Sequence, residues 1–243
     1  MTELISDFTN CYERYFKVLK ADTPNLLDQV YRLRYQLFCV ENPIFDPAEH
    51  LDERERDEYD ERSAHILLVH RDSGAAIGTA RLILPRRGDR SGPLLIQRLL
   101  APGDRKILEH LPPRRTAEIS RFAIGKELRR HWRSKSAHRT AFPDMPRELQ
   151  ASERLLMRYI TFGLLRGILD ACMEHTILYL AAVMEPTLIR ALVWLGIDFE
   201  PVGGRIDYYG VRQPCVVRLA DLVERSRGRR TPLWQYLNST AGL

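Results

Sequence analysis

Glu118 and Arg121 stand three residues apart in Ala117-Glu118-Ile119-Ser120-Arg121-Phe122-Ala123-Ile124, a stretch otherwise apolar enough to form a buried strand. Replacing a buried ion pair by apolar residues is often neutral or stabilising, so two charges in such a strand call for a partner network or a chemical task. The carboxylate is a candidate general base, direct or through water. A second arginine, Arg81, falls inside the apolar run Ala76 to Leu84, where it is either an edge-strand side chain in solvent or part of the same site. Arg34 and Phe38 are four apart beside an apolar helical face and can act together. Asp57 and Asp60, three apart, can share one side of a helical turn and reach the same cation. One geometric conflict follows: in a flat strand Glu118 and Arg121 point to opposite faces, so a bulge between them is expected.

The elements that must hold these groups follow from pattern and punctuation. Tyr15 to Lys20 alternates as a short strand, and Asp22-Thr23-Pro24 reads as a helix start with Pro in the first turn. The helix is expected from about Pro24 to Val40, with Leu26, Leu27, Val30, Leu33 and Leu37 at helical spacing. Residues 42–61 contain Pro43, Pro47 and a mixed charge run, which predicts a loop or lid; the same run also fits a plain solvated segment. A hairpin turning at Asp72-Ser73-Gly74 joins His65–His70 to Ala76–Leu84, short helices occupy 94–111, and Pro112-Pro113 stops them before the charged strand. A long apolar helix over Leu149–Met173 carries Gly163 and Gly167, whose spacing predicts close packing on a sheet. A strand at Thr176–Val183, a helix at Pro186–Leu195 ended by Gly196, and closing strands within 199–219 complete the order. Helices thus sit mainly in the crossovers of one mixed sheet, and no linker divides two cores. We expect a single domain over 1–243, with its core at about 15–219, a mobile lid at 42–61, a basic insertion at 126–147 and a basic tail at 220–243.

Composition narrows the partners. The chain has 243 residues, 44% of them hydrophobic, and a formal charge of +5, which points to an acidic partner or substrate without choosing among nucleic acid, phosphate-bearing cofactor, anionic membrane and acidic protein. Cys11, Cys39, Cys172 and Cys215 are scattered, and no zinc-finger or HExxH spacing occurs, so no metal site is expected. No signal peptide and no spanning segment is read, which places the chain in a reducing cytoplasm, with peripheral membrane contact left open. The patch Lys126, Arg129, Arg130, Arg133 and Lys135 is either a soluble basic face or a docking surface. Trp132 is its one aromatic, too few for a nucleic-acid stacking platform.

Taken together, Arg34 and Phe38, Asp57-x-x-Asp60, Gly78-x-x-Arg81 and Glu118-x-x-Arg121 resemble, in order and approximate spacing, the acyl-homoserine-lactone synthases. A closer likeness is to the acyltransferases associated with PEP-CTERM/exosortase systems, themselves similar to N-acyl amino acid synthases. It is carried by Tyr31-Arg32-Leu33-Arg34-Tyr35, Phe38-Cys39-Val40-Glu41, Asp57-Glu58-Tyr59-Asp60, Ala117 to Ala123, Val183-Met184-Glu185-Pro186 and Arg212-Gln213-Pro214-Cys215. The resemblance implies an α+β (α/β three-layer), GNAT-like fold: a mixed, mostly antiparallel central sheet with flanking helices and a splayed strand pair that admits the pantetheine arm. It implies an N-acyltransferase that moves a fatty acyl group from an acidic acyl-carrier protein, or from coenzyme A, to the amine of a small acceptor such as an amino acid. The donor is an acyl-phosphopantetheine substrate, and no permanently bound cofactor is expected.

By the same resemblance Glu118, Ser120 and Arg121 form the catalytic group. Arg34, Phe38, Asp57, Asp60, Arg81 and Glu185 line the acceptor side, with Arg34, Asp57, Asp60 and Arg121 pinning the lid. Glu185 beside Pro186 also fits a plain helix-start residue. Phe122, Ile124, Lys126, Arg129, Arg130 and Arg133 face the donor or its carrier. Two departures matter: Glu41-Asn42-Pro43 stands where autoinducer enzymes carry a Trp, and no R/Q-x-x-G-x-G/A phosphate turn follows Ile124. Alternative readings are an autoinducer synthase acting on S-adenosylmethionine, and a non-catalytic acyl-carrier-binding module.

Overall fold

The computed structural model describes residues 13–85, 94–126 and 153–226. Its strands are β1 (Phe16–Lys20), β2 (Ser63–His70), β3 (Ala76–Ile83), β4 (Thr116–Ile124), β5 (Tyr179–Met184), β6 (Glu200–Pro201), β7 (Ile206–Asp207) and β8 (Val211–Arg218). They form an eight-stranded mixed sheet in the order β1-β2-β3-β4-β5-β8-β6, with β7 paired to β8 off that path. Pairing is antiparallel for β1 with β2 and for β8 with β5, β6 and β7, and parallel for β4 with β5. This is the expected GNAT-like α+β arrangement: a mostly antiparallel open sheet with flanking helices.

The helices are α1 (Pro24–Tyr35), α2 (Leu95–Leu99), α3 (Pro102–Glu109), α4 (Glu153–Glu174), α5 (Pro186–Trp194) and α6 (Leu219–Ser226). The chain divides into two compact units. The first comprises Met1–Glu58, His65–Ala80 and Arg121–Gly167; the second comprises Tyr59–Ala64, Arg81–Ser120 and Ile168–Leu243.

In the first unit α1 begins as its sequence predicts: the Thr23 hydroxyl accepts from the Leu26 amide and Pro24 occupies the first turn. Its apolar side packs Val30, Leu26 and Leu27 on Leu19 and Leu67. The expected continuation to Val40 is not α-helical. Gln36–Glu41 is a π-helix, in which the carbonyl of Leu37 is taken by both the backbone and the side-chain amide of Asn42. Such wider turns re-aim side chains and are frequent at functional sites. Gly167 of α4 performs the close packing foreseen for it, because a Cβ there would come within 2.6 Å of Ile66 and 2.8 Å of Val18.

The second unit has its own core, in which Ile83, Ile96, Leu100, Leu108, Ala181 and Val216 pack together. Here α5 ends on Gly196 at φ 86°, with the Gly196 and Ile197 amides turning back to the carbonyls of Val193 and Leu192. The β4–β5 register runs from Thr116↔Tyr179 to Ile119↔Ala182 and ends there. β5 continues, with Val183 and Met184 paired to Pro214 and Gln213 of β8. β4 therefore loses this neighbour one residue after Glu118.

Candidate active site

Two charged clusters occupy the regions that the sequence singled out, one in each unit. In the first unit the hub is Glu55, which is 1% exposed and was not among the expected site residues. Its Oε2 accepts from Arg34 Nε at 2.6 Å and Arg121 Nε at 3.0 Å, and its Oε1 accepts from Arg121 Nη2 at 2.8 Å. Arg121 Nη2 also donates to Asp57 Oδ2 at 3.0 Å. Burial acts to raise the Glu55 pKa, but the hydrogen bonds and charges of Arg121 and Arg34 outweigh it and hold the carboxyl at about 2. Aromatic rings frame the cations. Arg121 lies 4.5 Å from the centroid of Phe45 and 5.9 Å from that of Phe38, while Arg34 lies 5.6 Å from that of Tyr31. The π-helical turn supplies Phe38, and its carbonyl accepts from the amides of Ile44 and Phe45, which fixes the loop that carries the second ring.

In the second unit Arg81 is fully buried, which decides against the solvent-edge reading of that strand. It donates from Nη1 to Asp60 Oδ1 at 2.6 Å and from Nε to Ser120 Oγ at 2.8 Å. Ser120 and Asp60 thus hold a guanidinium, and Asp60, expected beside Arg34 and Arg121, is bound by Arg81. Glu118 is 1% exposed, and its Oε2 accepts from the Ile96 amide at 3.1 Å, at the start of α2. Desolvation pushes its carboxyl up to about 7; the backbone of Ile96 and Leu95 and the charges of Arg81 and Arg62 act against that rise and do not cancel it. A carboxylate poised there can take a proton near neutral pH, which an ordinary glutamate does poorly.

Arg121 of the first cluster has φ 50° inside β4. A left-handed residue in a strand costs about 1–2 kcal/mol for anything but glycine, and such strain gathers at functional sites. The backbone of β4 thus leaves the extended region at Arg121 itself, at one end of the Glu118–Arg121 interval in which a bulge is expected. Phe122 and Ile124, further along β4, are partly exposed. Lys126 is tied to Glu41, whose carboxylate accepts from the Lys126 amide at 2.9 Å. Arg129, Arg130 and Arg133 lie outside the described residues. Glu185 stands at the N-cap of α5, with its carboxylate near Arg212 at 3.2 Å and Thr187 at 3.3 Å.

Glu55 and Phe45 are the site residues that sequence reasoning missed. Glu55 shares its charge run with Glu53, Asp57, Glu58, Asp60 and Glu61, so residue type alone does not single it out. Its one signal is its place two residues before Asp57. Phe45 follows Pro43 in a segment without periodicity, and nothing local marks it. Among the described residues, no group of three or more His, Cys, Asp and Glu side chains is arranged to hold a metal ion.

Residues 33–136 match the family model of the acetyltransferase (GNAT) domain. No curated protein matches the chain. Among solved structures, the chain is similar to TofI, in a ternary complex with an inhibitor and MTA, at 21% identity and a TM-score of 0.53, covering 86% of this chain and 96% of that one. The N-acyl amino acid synthase FeeM, from uncultured soil microbes, is 15% identical at a TM-score of 0.53, covering 91% and 96%. The CoA-dependent acyl-homoserine lactone synthase BjaI, with SAM and isopentyl-CoA, is 17% identical at 0.53, covering 88% of each chain. At these identities the likenesses establish the fold, and the matched domain adds the chemistry: this chain is an acyl-transferring enzyme with a GNAT-like fold.

Proposed function

We propose that the protein is an N-acyltransferase that moves a fatty acyl group from an acyl-carrier protein, or from coenzyme A, to the amine of a small acceptor, with Glu118 as general base. The observation that carries this reading is a fully enclosed carboxyl held near 7, on β4 where its pairing with β5 stops. The acceptor ammonium gives a proton to Glu118, directly or through water. The free amine then attacks the thioester carbonyl, the new C–N bond forms, the C–S bond breaks, and the thiol leaves with a proton. Arg81, held by Asp60 and Ser120, keeps positive charge beside this carboxylate. Arg34 and Arg121 clamp Glu55 and Asp57, which anchors the 42–61 segment as a lid.

An acidic acyl-carrier protein is the preferred donor, on the strength of the basic run after Ile124 and the missing phosphate turn. The quoted motifs support the narrower kinship with exosortase-associated acyltransferases. The buried free thiols of Cys39, Cys172 and Cys215 support a reducing compartment, the cytoplasm. Among the described residues no helix is long and apolar enough to cross a membrane.

The test is product identification. Purified protein is incubated with acyl-carrier and coenzyme A thioesters and a panel of amines that includes S-adenosylmethionine, and products are read by mass spectrometry. An N-acylated amine that disappears in Glu118→Gln is the expected result. A homoserine lactone would replace this acceptor assignment with the autoinducer one. Tight carrier binding without any turnover would replace the enzyme with a binding module.

A further inference from the structure

The β7–β8 hairpin of the second unit keeps a tyrosine at a position that disfavours one. Tyr209 has φ 51° and Gly210 φ 100°, so both turn residues lie in the left-handed region, where Gly and Asn are preferred and a bulky residue is strained. The turn is otherwise well made: the Gly210 amide donates to Asp207 Oδ1 at 3.1 Å, and the Tyr208 amide to the Gly210 carbonyl at 3.0 Å. The Tyr209 ring leans edge-on against Tyr208, with centroids 4.8 Å apart, yet the residue remains 53% exposed, and Val211 beyond it is 56% exposed. Backbone strain of this kind gathers at ligand-binding segments, and here it carries an exposed ring.

The base of the hairpin is fixed. Arg212 Nη2 donates to the Tyr209 carbonyl at 3.0 Å, and its Nη1 lies 3.2 Å from Glu185 Oε1 at the N-cap of α5. Gln213 Nε2 donates to the Gly203 carbonyl at 3.2 Å. The tip is therefore held on a braced stem that is tied to α5. On α5 the residues Arg190, Val193 and Trp194 fall at i, i+3 and i+4, on one side of the helix, and all three are exposed, while Leu192 is buried.

Charge gives this surface a sign. Asp207 and Glu185, the carboxylates of the hairpin and of the α5 N-cap, are both engaged within the protein. Arg190 and Arg205 are exposed, and among the described residues neither forms an ion pair or a side-chain hydrogen bond. Four exposed large apolar side chains thus stand with two guanidiniums that no carboxylate holds. A projecting tip with tyrosine, tryptophan and arginine suits the headgroup layer of a bilayer, where rings sit at the polar boundary and arginines meet lipid phosphates. The fatty amide that the proposed reaction forms is an amphiphile, and a bilayer is where it partitions.

We propose that the β7–β8 hairpin and α5 dock on an anionic lipid bilayer, with Tyr209, Val211, Val193 and Trp194 entering the headgroup layer and Arg190 and Arg205 meeting lipid phosphates. This binding goes beyond the acyl-transfer reading and stands or falls without it.

The full-length protein is sedimented with vesicles of phosphatidylcholine alone and of phosphatidylcholine with about 30% phosphatidylserine. Binding to the anionic vesicles, weakened by salt, is expected. Tyr209→Asn with Val211→Thr should lower the partition coefficient about tenfold, while the thermal midpoint stays at or above that of the wild type because Asn suits the left-handed position. Arg190→Gln with Arg205→Gln should lower it about tenfold or more. Because the readout is sedimentation, it holds whether or not thioesters are turned over. The proposal is overturned if the wild type ignores anionic vesicles, or if either double variant still binds them as the wild type does. It is also overturned if the variants bind vesicles normally but lose binding to an acidic acyl-carrier protein, which would make this surface a carrier dock.

Discussion

Glu55 and Glu118 are each 1% exposed, yet their surroundings drive them in opposite directions. Glu55 meets two guanidiniums that bond it directly, and its carboxyl falls to about 2. Glu118 meets the backbone amides of Ile96 and Leu95 and arginines that act at longer range, and its carboxyl rises to about 7. Burial penalises the charged form equally in kind; what differs is whether a cation touches the oxygens. The first glutamate is thereby a permanent anion suited to holding chain segments together. The second can change its charge at neutral pH and so can do chemistry.

This contrast makes predictions that fall in order of size. Glu118→Gln keeps an oxygen for the Ile96 amide but cannot take a proton, so kcat should drop about 10²–10⁴-fold with the fold intact, measured by thioester consumption and circular dichroism. The companion pH profile in the wild type should rise through about 7, because the base works only when deprotonated; a flat profile between pH 6 and 8 would remove Glu118 from that role.

Glu55→Gln should be the more damaging change to stability. It leaves Arg34, fully buried, and Arg121 without their shared counter-charge, at a cost of about 3–5 kcal/mol in denaturant unfolding. The two glutamates should also have opposite stability linkage. Glu55, with its folded pKa depressed from 4.5, contributes stability that is present above about 4.5 and lost as pH falls toward 2. Glu118, with its folded pKa raised from 4.5, lowers stability progressively as pH rises from about 4.5 through 7. Accordingly Glu118→Gln is expected to be more stable than the wild type at pH 8, by up to about 3 kcal/mol, with the difference vanishing near pH 4. Least in size, Phe45→Leu removes the ring nearest Arg121 and should cost about 1 kcal/mol through the lost cation–π contact. A loss far above that would mean that Phe45 also orders the lid.

Much of the scaffold follows from local pattern. Thr23-Pro24 starts a helix because the hydroxyl and the imino acid satisfy a first turn wherever they occur, and Gly196 ends one because it alone adopts a left-handed turn without penalty. Alternation and turn residues foretold the hairpin of β2 and β3 within two residues. The failure to continue α1 as an α-helix has a local cause that pattern does not encode: Asn42 captures the Leu37 carbonyl twice and widens the turn.

The sequence by itself determined which side chains were out of place, namely Glu118 and Arg121 in an apolar strand, Arg81 in another, and a dense charge run between α1 and β2. Only the tertiary structure decided their partners. Arg121 belongs with Glu55 and Asp57, Arg81 with Asp60 and Ser120, and Glu118 with the backbone of α2. The physical reason is that a charged residue shows its type in the sequence, whereas its pKa and its task depend on desolvation and on contacts between residues as much as 66 positions apart.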